Sequence, residues 1–185
     1  MKGNSLIIIP TFNESENIEL IINKILLLND SNDILVVDDN SPDGTSKIVS
    51  DLKKENIDRI FLIVRDNKLG LGSAYKEGFN WALNKNYSYI FEMDADLSHD
   101  PEEIVNLKEL LIKSDSDVAV GSRYLDGVSV VNWPLSRIFL SYFANIYVRI
   151  ITGMPIKDAT SGFIGYTNES LSSLNIDNIK FNGYA

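Results

Sequence analysis

Two aspartates one residue apart, Asp94 and Asp96, directly follow the apolar run Tyr89-Ile90-Phe91-Glu92-Met93. Alternate residues of an extended segment point the same way, so both carboxylates can face one ligand. Hard oxygen donors that leave coordination positions open suit Mg2+ or Mn2+ bridging a diphosphate. A loop or helix-cap role is the plainer alternative, and it fits Asp100 better than this pair. A second acidic pair, Asp38-Asp39, ends the run Ile34–Val37 and leads into the turn Asn40-Ser41-Pro42-Asp43-Gly44. One of its carboxylates can accept a charge-assisted hydrogen bond from a nucleobase N–H. Ser41 and Asp43 read as turn-forming and helix-capping residues. Lys68-Leu69-Gly70-Leu71-Gly72-Ser73 is glycine-rich and opens a helical pattern, so its amides could meet a phosphate, although a plain turn explains it as well.

These groups need a frame that brings them to one place. Ser5–Pro10 reads as a buried strand, followed by a helix over Glu14–Leu28 with apolar residues at Ile18, Ile21, Ile22, Ile25 and Leu28. Ile34–Asp38, Ile60–Arg65, Tyr89–Met93 and Val118–Gly121 read as further strands. Gly44–Glu55, Leu71–Asn86 and a segment opened by Asp100-Pro101-Glu102-Glu103 read as helices, the last with Asp100 as N-cap. Near-continuous apolar strands alternating with helices predict an α/β fold with a mostly parallel sheet covered on both faces. Ligands of such sheets bind beyond the carboxyl ends of the strands. The residues there are Thr11-Phe12-Asn13-Glu14, Asp38-Asp39-Asn40-Ser41, Arg65-Asp66-Asn67-Lys68, Asp94-Ala95-Asp96 and Ser122-Arg123-Tyr124. Acids and bases therefore converge on one edge.

Composition removes several kinds of chemistry. The 185 residues contain no cysteine, which excludes a disulfide framework, thiolate metal sites and a cysteine nucleophile. The single histidine, His99, cannot build a multi-histidine metal site and reads as structural. A net charge of −9 argues against nonspecific nucleic-acid binding. The turn after the first strand has no glycine, so it is neither a dinucleotide fingerprint nor a P-loop. No apolar run reaches the roughly 18 residues of a membrane span, and no signal peptide is visible, so a soluble or peripheral cytoplasmic protein is expected. From Val118 to Lys157 the sign of the charge reverses, with Arg123, Arg137, Arg149 and Lys157 against only Asp126. That stretch suggests a negatively charged ligand, with scattered surface charge as the alternative.

Pro10-Thr11-Phe12-Asn13-Glu14, Val37-Asp38-Asp39-Asn40-Ser41-Pro42-Asp43-Gly44-Thr45, Lys68-Leu69-Gly70-Leu71-Gly72, Met93-Asp94-Ala95-Asp96-Leu97-Ser98-His99 and Gly121-Ser122-Arg123-Tyr124 occur in this order. Asn132-Trp133-Pro134 and Thr160-Ser161-Gly162-Phe163 follow. Together they resemble the family 2 glycosyltransferases of the GT-A fold, in particular the dolichol-phosphate (polyprenol-phosphate) mannose synthases, from about Ser5 to Ala185. The resemblance implies a Rossmann-like nucleotide-sugar fold in one domain over residues 1–185. Residues 1–121 would form the nucleotide-sugar and metal half and residues 122–185 the acceptor half. By position, Pro10, Phe12, Glu14, Val37 and Asp39 would hold the guanosine of GDP-mannose. The family usually carries tyrosine where Phe12 stands, so a ring contact is kept and a hydroxyl hydrogen bond is lost. Asp94, Ala95 and Asp96 would meet the sugar diphosphate and a Mg2+ or Mn2+ ion, with Ser98 as a further metal-side ligand. Arg123 would face the diphosphate or the incoming phosphate.

Pro134–Thr152 reads as an amphipathic helix whose polar residues Arg137, Ser141, Asn145 and Arg149 recur every four positions. A core helix would not need two arginines there, and a spanning helix would not tolerate them cheaply. The resemblance implies that Arg137 and Ser141 bind the phosphate of a dolichyl or polyprenyl lipid. The helix would then lie at the bilayer surface, giving peripheral contact with the cytoplasmic face of a membrane. A domain-packing helix with solvated arginines is the alternative. Asp158 and the Thr160–Phe163 turn are expected to shape the acceptor side. The implied reaction is inverting displacement at the sugar anomeric carbon by a lipid phosphate oxygen, with GDP leaving. Transfer from UDP-glucose or another UDP-sugar is the nearest rival. A non-catalytic nucleotide-sugar-binding module is another, because the family continues past Gly183-Tyr184-Ala185 into a closing segment with arginine and lysine. The chain is accordingly expected to be a C-terminally shortened form that binds metal and nucleotide more readily than it turns over.

Overall fold

Runs of aliphatic and β-branched residues without polar interruption can leave neither face in water, and here they form the middle of a sheet covered on both sides. The computed structural model describes residues 4–28, 32–114, 116–122 and 135–178, the side chains of Arg137 and Asp177 excepted. Strands β1 (Ser5–Thr11), β2 (Asn32–Asp38), β3 (Ile60–Val64) and β4 (Tyr89–Glu92) alternate with helices α1 (Ile18–Leu28), α2 (Thr45–Glu55), α3 (Leu71–Leu83) and α4 (Glu103–Lys113). Strand β5 (Val118–Val120), helix α5 (Leu135–Thr152), strand β6 (Ile164–Thr167) and helix α6 (Asn168–Ser173) complete the order, followed by a 3₁₀ turn at Ile176–Asn178.

The sheet order is β3-β2-β1-β4-β6-β5. Strands β1 to β4 are mutually parallel, and β6 runs antiparallel to both β4 and β5. All seven residues of β1 and of β2 are buried, as central parallel strands require. Side-chain alternation divides them between two cores. Ile7, Ile9, Ile34 and Val36 meet Ile18, Ile21, Ile22 and Ile25 of α1, Val49 of α2 and Ile104, Leu107 and Leu111 of α4. Leu6, Ile8, Leu35 and Val37 meet Ala74, Tyr75, Phe79 and Ala82 of α3 and Leu171 of α6.

The α/β architecture expected from the sequence is present, with differences that have local causes. Strand β6 was not foreseen, because four residues after a glycine-containing turn carry too little periodicity to read. Helix α1 starts at Ile18 rather than Glu14, since the Glu14 carbonyl is still receiving the Asn17 and Ile18 amides in a turn. Helix α4 starts at Glu103, and Asp100 accepts the Glu102 amide at 3.1 Å in the turn before it. Helix α5 begins at Leu135 and ends where Gly153, at φ 69°, donates its N–H to the Arg149 carbonyl.

Chain connections run from β1 through β2 to β3 on one side of β1, while β4 lies on the other. The crevice at that reversal, beyond the carboxyl ends of β1 and β4, is where open α/β sheets bind ligands.

Candidate active site

The loops beyond β1 and β2 are built from hydrogen bonds to buried carboxylates. Asp38 is fully buried and accepts the Thr11 hydroxyl (2.8 Å), the Ser41 amide (2.9 Å) and the Ser41 hydroxyl (2.6 Å). Ser41 Oγ in turn accepts the Asn13 amide at 3.0 Å, tying the β1 loop to the β2 turn. Asp43 accepts the Thr45 amide (3.0 Å) and hydroxyl (2.6 Å) on one oxygen and the Ser15 amide (2.9 Å) on the other. Slight desolvation acts to raise the pKa of the exposed Asp43, but the hydrogen bonds from Thr45 and Ser15 outweigh it and bring the value down to about 2. Ser41 and Asp43 thus have the turn-forming and capping roles read from the sequence.

Asp39 faces the other way. One oxygen forms an ion pair with Arg65, and the other accepts the Leu69 and Gly70 amides at 3.0 and 2.9 Å. Arg65 also donates to Ser73 Oγ (2.6 Å) and to the Gly70 carbonyl (3.1 Å). The glycine-rich loop that opens α3 is therefore pinned to the end of β2, and these two amides are turned toward Asp39 rather than toward a phosphate. The importance of Arg65 was only partly visible beforehand, as one base among the residues following the strands.

Phe12 is half-buried, and Lys68 Nζ stands 4.0 Å from its ring centroid, a cation–π contact across the mouth of the crevice. Glu14 is half-buried, receives Asn17 Nδ2 at 3.1 Å and donates its own amide to Thr45 Oγ1. Pro10 and Val37 are register partners in adjacent strands, and both are buried. The Val37 side chain belongs to the core beneath α3, so only its backbone is available to a ligand.

At the end of β4, Met93 and Ala95 are buried, Asp94 is half-buried and Asp96 is exposed. This is the alternation expected of two carboxylates turned away from the core together. Leu97 then adopts φ 61°, a left-handed conformation uncommon outside glycine, which costs about 1–3 kcal/mol and tends to occur at functional sites. The turn brings the Ser98 amide to Asp96 Oδ1 at 2.9 Å and leaves the Ser98 side chain on an exposed residue. The donor set, two carboxylates with outward access, fits a hard divalent cation. Among the described residues no group of three or more histidine, cysteine, aspartate or glutamate side chains is placed to hold a metal. A cation here would need further oxygens from a bound ligand, and a diphosphate supplies them.

Around Asp94 lies a cluster that sequence reading did not assemble. Tyr75 of α3 donates its hydroxyl to Asp94 Oδ1 at 3.3 Å, and His99 Nε2 stands 3.8 Å from Oδ2. The His99 ring also packs on Phe163, centroids 5.1 Å apart. Glu92, on the same strand, accepts the Tyr166 hydroxyl of β6 at 2.9 Å. Burial, helped by the Asp94 charge and opposed by the Tyr166 hydrogen bond, raises the Glu92 pKa to about 7. Burial first, then the charges of Asp94 and Glu92, keeps the Tyr75 phenol well above its ordinary value, so it remains a donor at neutral pH. The available signal was the lone acid in an otherwise apolar strand.

On the acceptor side, Arg123 and the Asn132-Trp133-Pro134 segment lie outside the described residues, as does the Arg137 side chain. Ser141 is half-buried on α5. The described part of that helix is unusual in what it exposes. Phe139, Leu140, Phe143, Tyr147, Ile150 and Ile151 are each 60–75% exposed, and Asn145 is the one buried residue among those described. An open groove of about 460 Å³ runs along its last turns, lined by Ile146, Arg149, Ile150, Gly153, Met154 and Pro155. No helix among the described residues is long and apolar enough to cross a membrane.

Residues 6–174 match the model of glycosyl transferase family 2. The chain is 43% identical over 180 residues, 97% of its length, to a polyprenol monophosphomannose synthase of Mycolicibacterium smegmatis, and spans 68% of that protein. It is 38% identical to an undecaprenyl-phosphate mannosyltransferase of Micrococcus luteus, covering 97% of this chain and 72% of the relative. Against a dolichol-phosphate mannosyltransferase of Pyrococcus furiosus the identity is 39%, over 95% of this chain and 49% of the relative. Among solved structures, a mannosyltransferase of Pyrobaculum calidifontis in complex with GDP-mannose and Mn2+ superposes with a TM-score of 0.63 at 21% identity. The match covers 95% of this chain and 47% of that one. A glucosyl-3-phosphoglycerate synthase of Mycobacterium tuberculosis, solved with Mn2+ and UDP-glucose, gives 0.66 at 17% identity, over 92% of this chain and 58% of that one. At such identities the two structures speak to the fold, which is the GT-A fold of nucleotide-sugar transferases.

Proposed function

The chain belongs to glycosyltransferase family 2, and from that membership we propose that the protein transfers mannose from GDP-mannose to a dolichyl or polyprenyl phosphate, with inversion at the anomeric carbon. The observation that carries this reading is a juxtaposition in one chain. Asp94 and Asp96 stand at the sheet's switch point, while α5 turns a row of large apolar side chains outward. Three relatives at 38–43% identity, each named for mannosyl transfer to or synthesis on a lipid phosphate, support it.

In this reading Asp94 and Asp96 hold Mg2+ or Mn2+ together with the donor diphosphate, with Ser98 as a further oxygen. When bound, the cation offsets negative charge gathering on the departing diphosphate. Phe12 offers its ring, and Glu14, the Pro10 and Val37 backbone and Asp39 frame the guanosine. Because Asp39 is already committed to Arg65 and two amides, its main contribution is to fix the loop that flanks the base. Arg123 faces the phosphates, and Arg137 with Ser141 receives the acceptor. A lipid phosphate oxygen forms the new bond to the sugar carbon, the bond from that carbon to the diphosphate oxygen breaks, and GDP leaves with the electron pair. A phosphate monoester is already largely anionic at neutral pH, its second pKa being about 6, so no proton need be removed in the step. That agrees with a site whose single histidine packs on Phe163. The exposed face of α5 rests on the membrane surface, placing the enzyme peripherally at the cytoplasmic face.

Transfer of labelled sugar to polyprenyl phosphate in detergent or vesicles, with GDP-mannose and UDP-glucose compared, tests this. Formation of polyprenyl-phosphate mannose from GDP-mannose, dependent on Mg2+ or Mn2+, is expected. Faster turnover of UDP-glucose would replace the donor assignment, and nucleotide binding without transfer would favour a binding module.

A further inference from the structure

We propose that Gly162 is a positioning residue, the bare wall against which the Asp94 carboxylate is set, and that α5 holds this wall in place through Asn145. The proposal rests on the reading of Asp94 as a metal-side carboxylate. A Cβ at position 162 would stand 2.5 Å from Asp94 Oδ2 and 3.1 Å from its carboxyl carbon, closer than side chains approach one another. The opposite oxygen of Asp94 takes the Tyr75 hydroxyl at 3.3 Å. A side chain at 162 would therefore displace the Asp94 carboxylate, whose other oxygen is held by Tyr75.

The turn carrying Gly162 is held from both ends. Ser161 Oγ donates to the Gly121 carbonyl (2.5 Å) and accepts the Phe163 amide (3.1 Å), while the Gly121 amide donates to the Phe163 carbonyl (2.8 Å). These bonds lock the turn to the end of β5. Upstream, buried Asp158 accepts the Thr160 amide and hydroxyl at 3.2 and 3.1 Å. Asn145 accepts the Ala159 amide (2.7 Å) and donates to Asp158 (3.4 Å) and to the Ser141 carbonyl (3.0 Å). A set of buried and part-buried hydrogen bonds thus runs from α5, the helix proposed to meet the lipid, to the turn that faces the carboxylate proposed to meet the metal.

Calorimetric titration of Mn2+ into the protein with GDP present decides the matter, alongside GDP affinity without metal and the melting temperature. For Gly162→Ala the Mn2+ dissociation constant should rise at least tenfold, while metal-free GDP affinity stays within twofold. Ser161→Ala, which frees the turn without crowding Asp94, should weaken Mn2+ about threefold or more, and Ser161→Thr, which keeps the hydroxyl, should restore it. If Gly162→Ala does not fold, the Ser161 pair decides alone. Mn2+ affinity within twofold of the parent in Gly162→Ala, or in Ser161→Ala where only that variant folds, overturns the proposal. Asp96→Ala separates the two ideas. Loss of Mn2+ binding there with none in Gly162→Ala sinks the positioning role alone, whereas intact binding in Asp96→Ala sinks the metal reading and the proposal with it.

Discussion

The donor edge and α5 are held to the same molecule in opposite ways. At the donor edge the strands are entirely buried, and the loops beyond them are cross-braced by Asp38, Asp39, Asp43 and Arg65, with nearly every carboxylate oxygen engaged. Helix α5 reverses the usual rule for a globular helix. Its large apolar residues face outward, and among its described residues the buried one is an asparagine. In the proposed reading, a site that recognises a rigid base and diphosphate gains from preorganised loops, whereas a surface that meets a fluid lipid needs only an apolar face. On the proposed function, the work is divided between a braced region and a helix that turns its apolar face outward.

The largest effect should come from breaking the braced side. Arg65→Met leaves the buried Asp39 charge without its partner, which typically costs 3–5 kcal/mol, so denaturant unfolding should show a loss of about that size. A variant of near-parent stability would mean that the brace matters little. Asp96→Ala, on an exposed residue, should leave stability within about 0.5 kcal/mol while lowering transfer by about 10²–10³-fold, as when one group stabilising a leaving charge is lost. Asn145→Leu attacks the α5 side by leaving the Ala159 amide without its acceptor, and should cost about 1–3 kcal/mol in unfolding experiments. A cost as large as that of Arg65→Met would erase the contrast between the regions.

A further effect concerns pH. Glu92 keeps its proton in the folded protein up to about pH 7, while its ordinary value is 4.5. The folded state therefore binds more protons than the unfolded one between these values, and stability declines as pH rises through that window, then levels off. In metal-free buffer, Glu92→Gln should melt with the parent near pH 4.5 and above it at pH 8. Parallel melting curves across this range would place the Glu92 carboxyl outside the buried cluster.

Much of this arrangement could be read before any coordinates. The apolar runs at Leu6–Ile9 and Ile34–Val37 have no soluble alternative to a two-sided sheet, and turn chemistry at Ser41 and Asp43 is local. Asp94 and Asp96 were legible because strand alternation around Ala95 is itself local. What stayed hidden depends on partners distant in sequence. Arg65 meets Asp39 across 26 positions, Tyr166 meets Glu92 across 74, and Gly162 faces Asp94 only because β6 inserts beside β4. The polar residues of α5 read as one slowly drifting stripe, and the structure shows how far the drift goes. Steps of four residues advance about 40° beyond a full turn on an α-helix, so the stripe drifts across faces. Asn145 consequently points into the body while Arg149 stays exposed.

One assay compares the two regions directly. Transfer from GDP-mannose is measured for Asp96→Ala and Phe143→Asp, each with a long-chain polyprenyl phosphate in vesicles and with a short, water-soluble analogue. Asp96→Ala should fail with both acceptors, whereas Phe143→Asp should fail in vesicles and keep near-parent turnover with the soluble one. Equal losses for Phe143→Asp on both acceptors, or full activity of Asp96→Ala on either, would contradict the account.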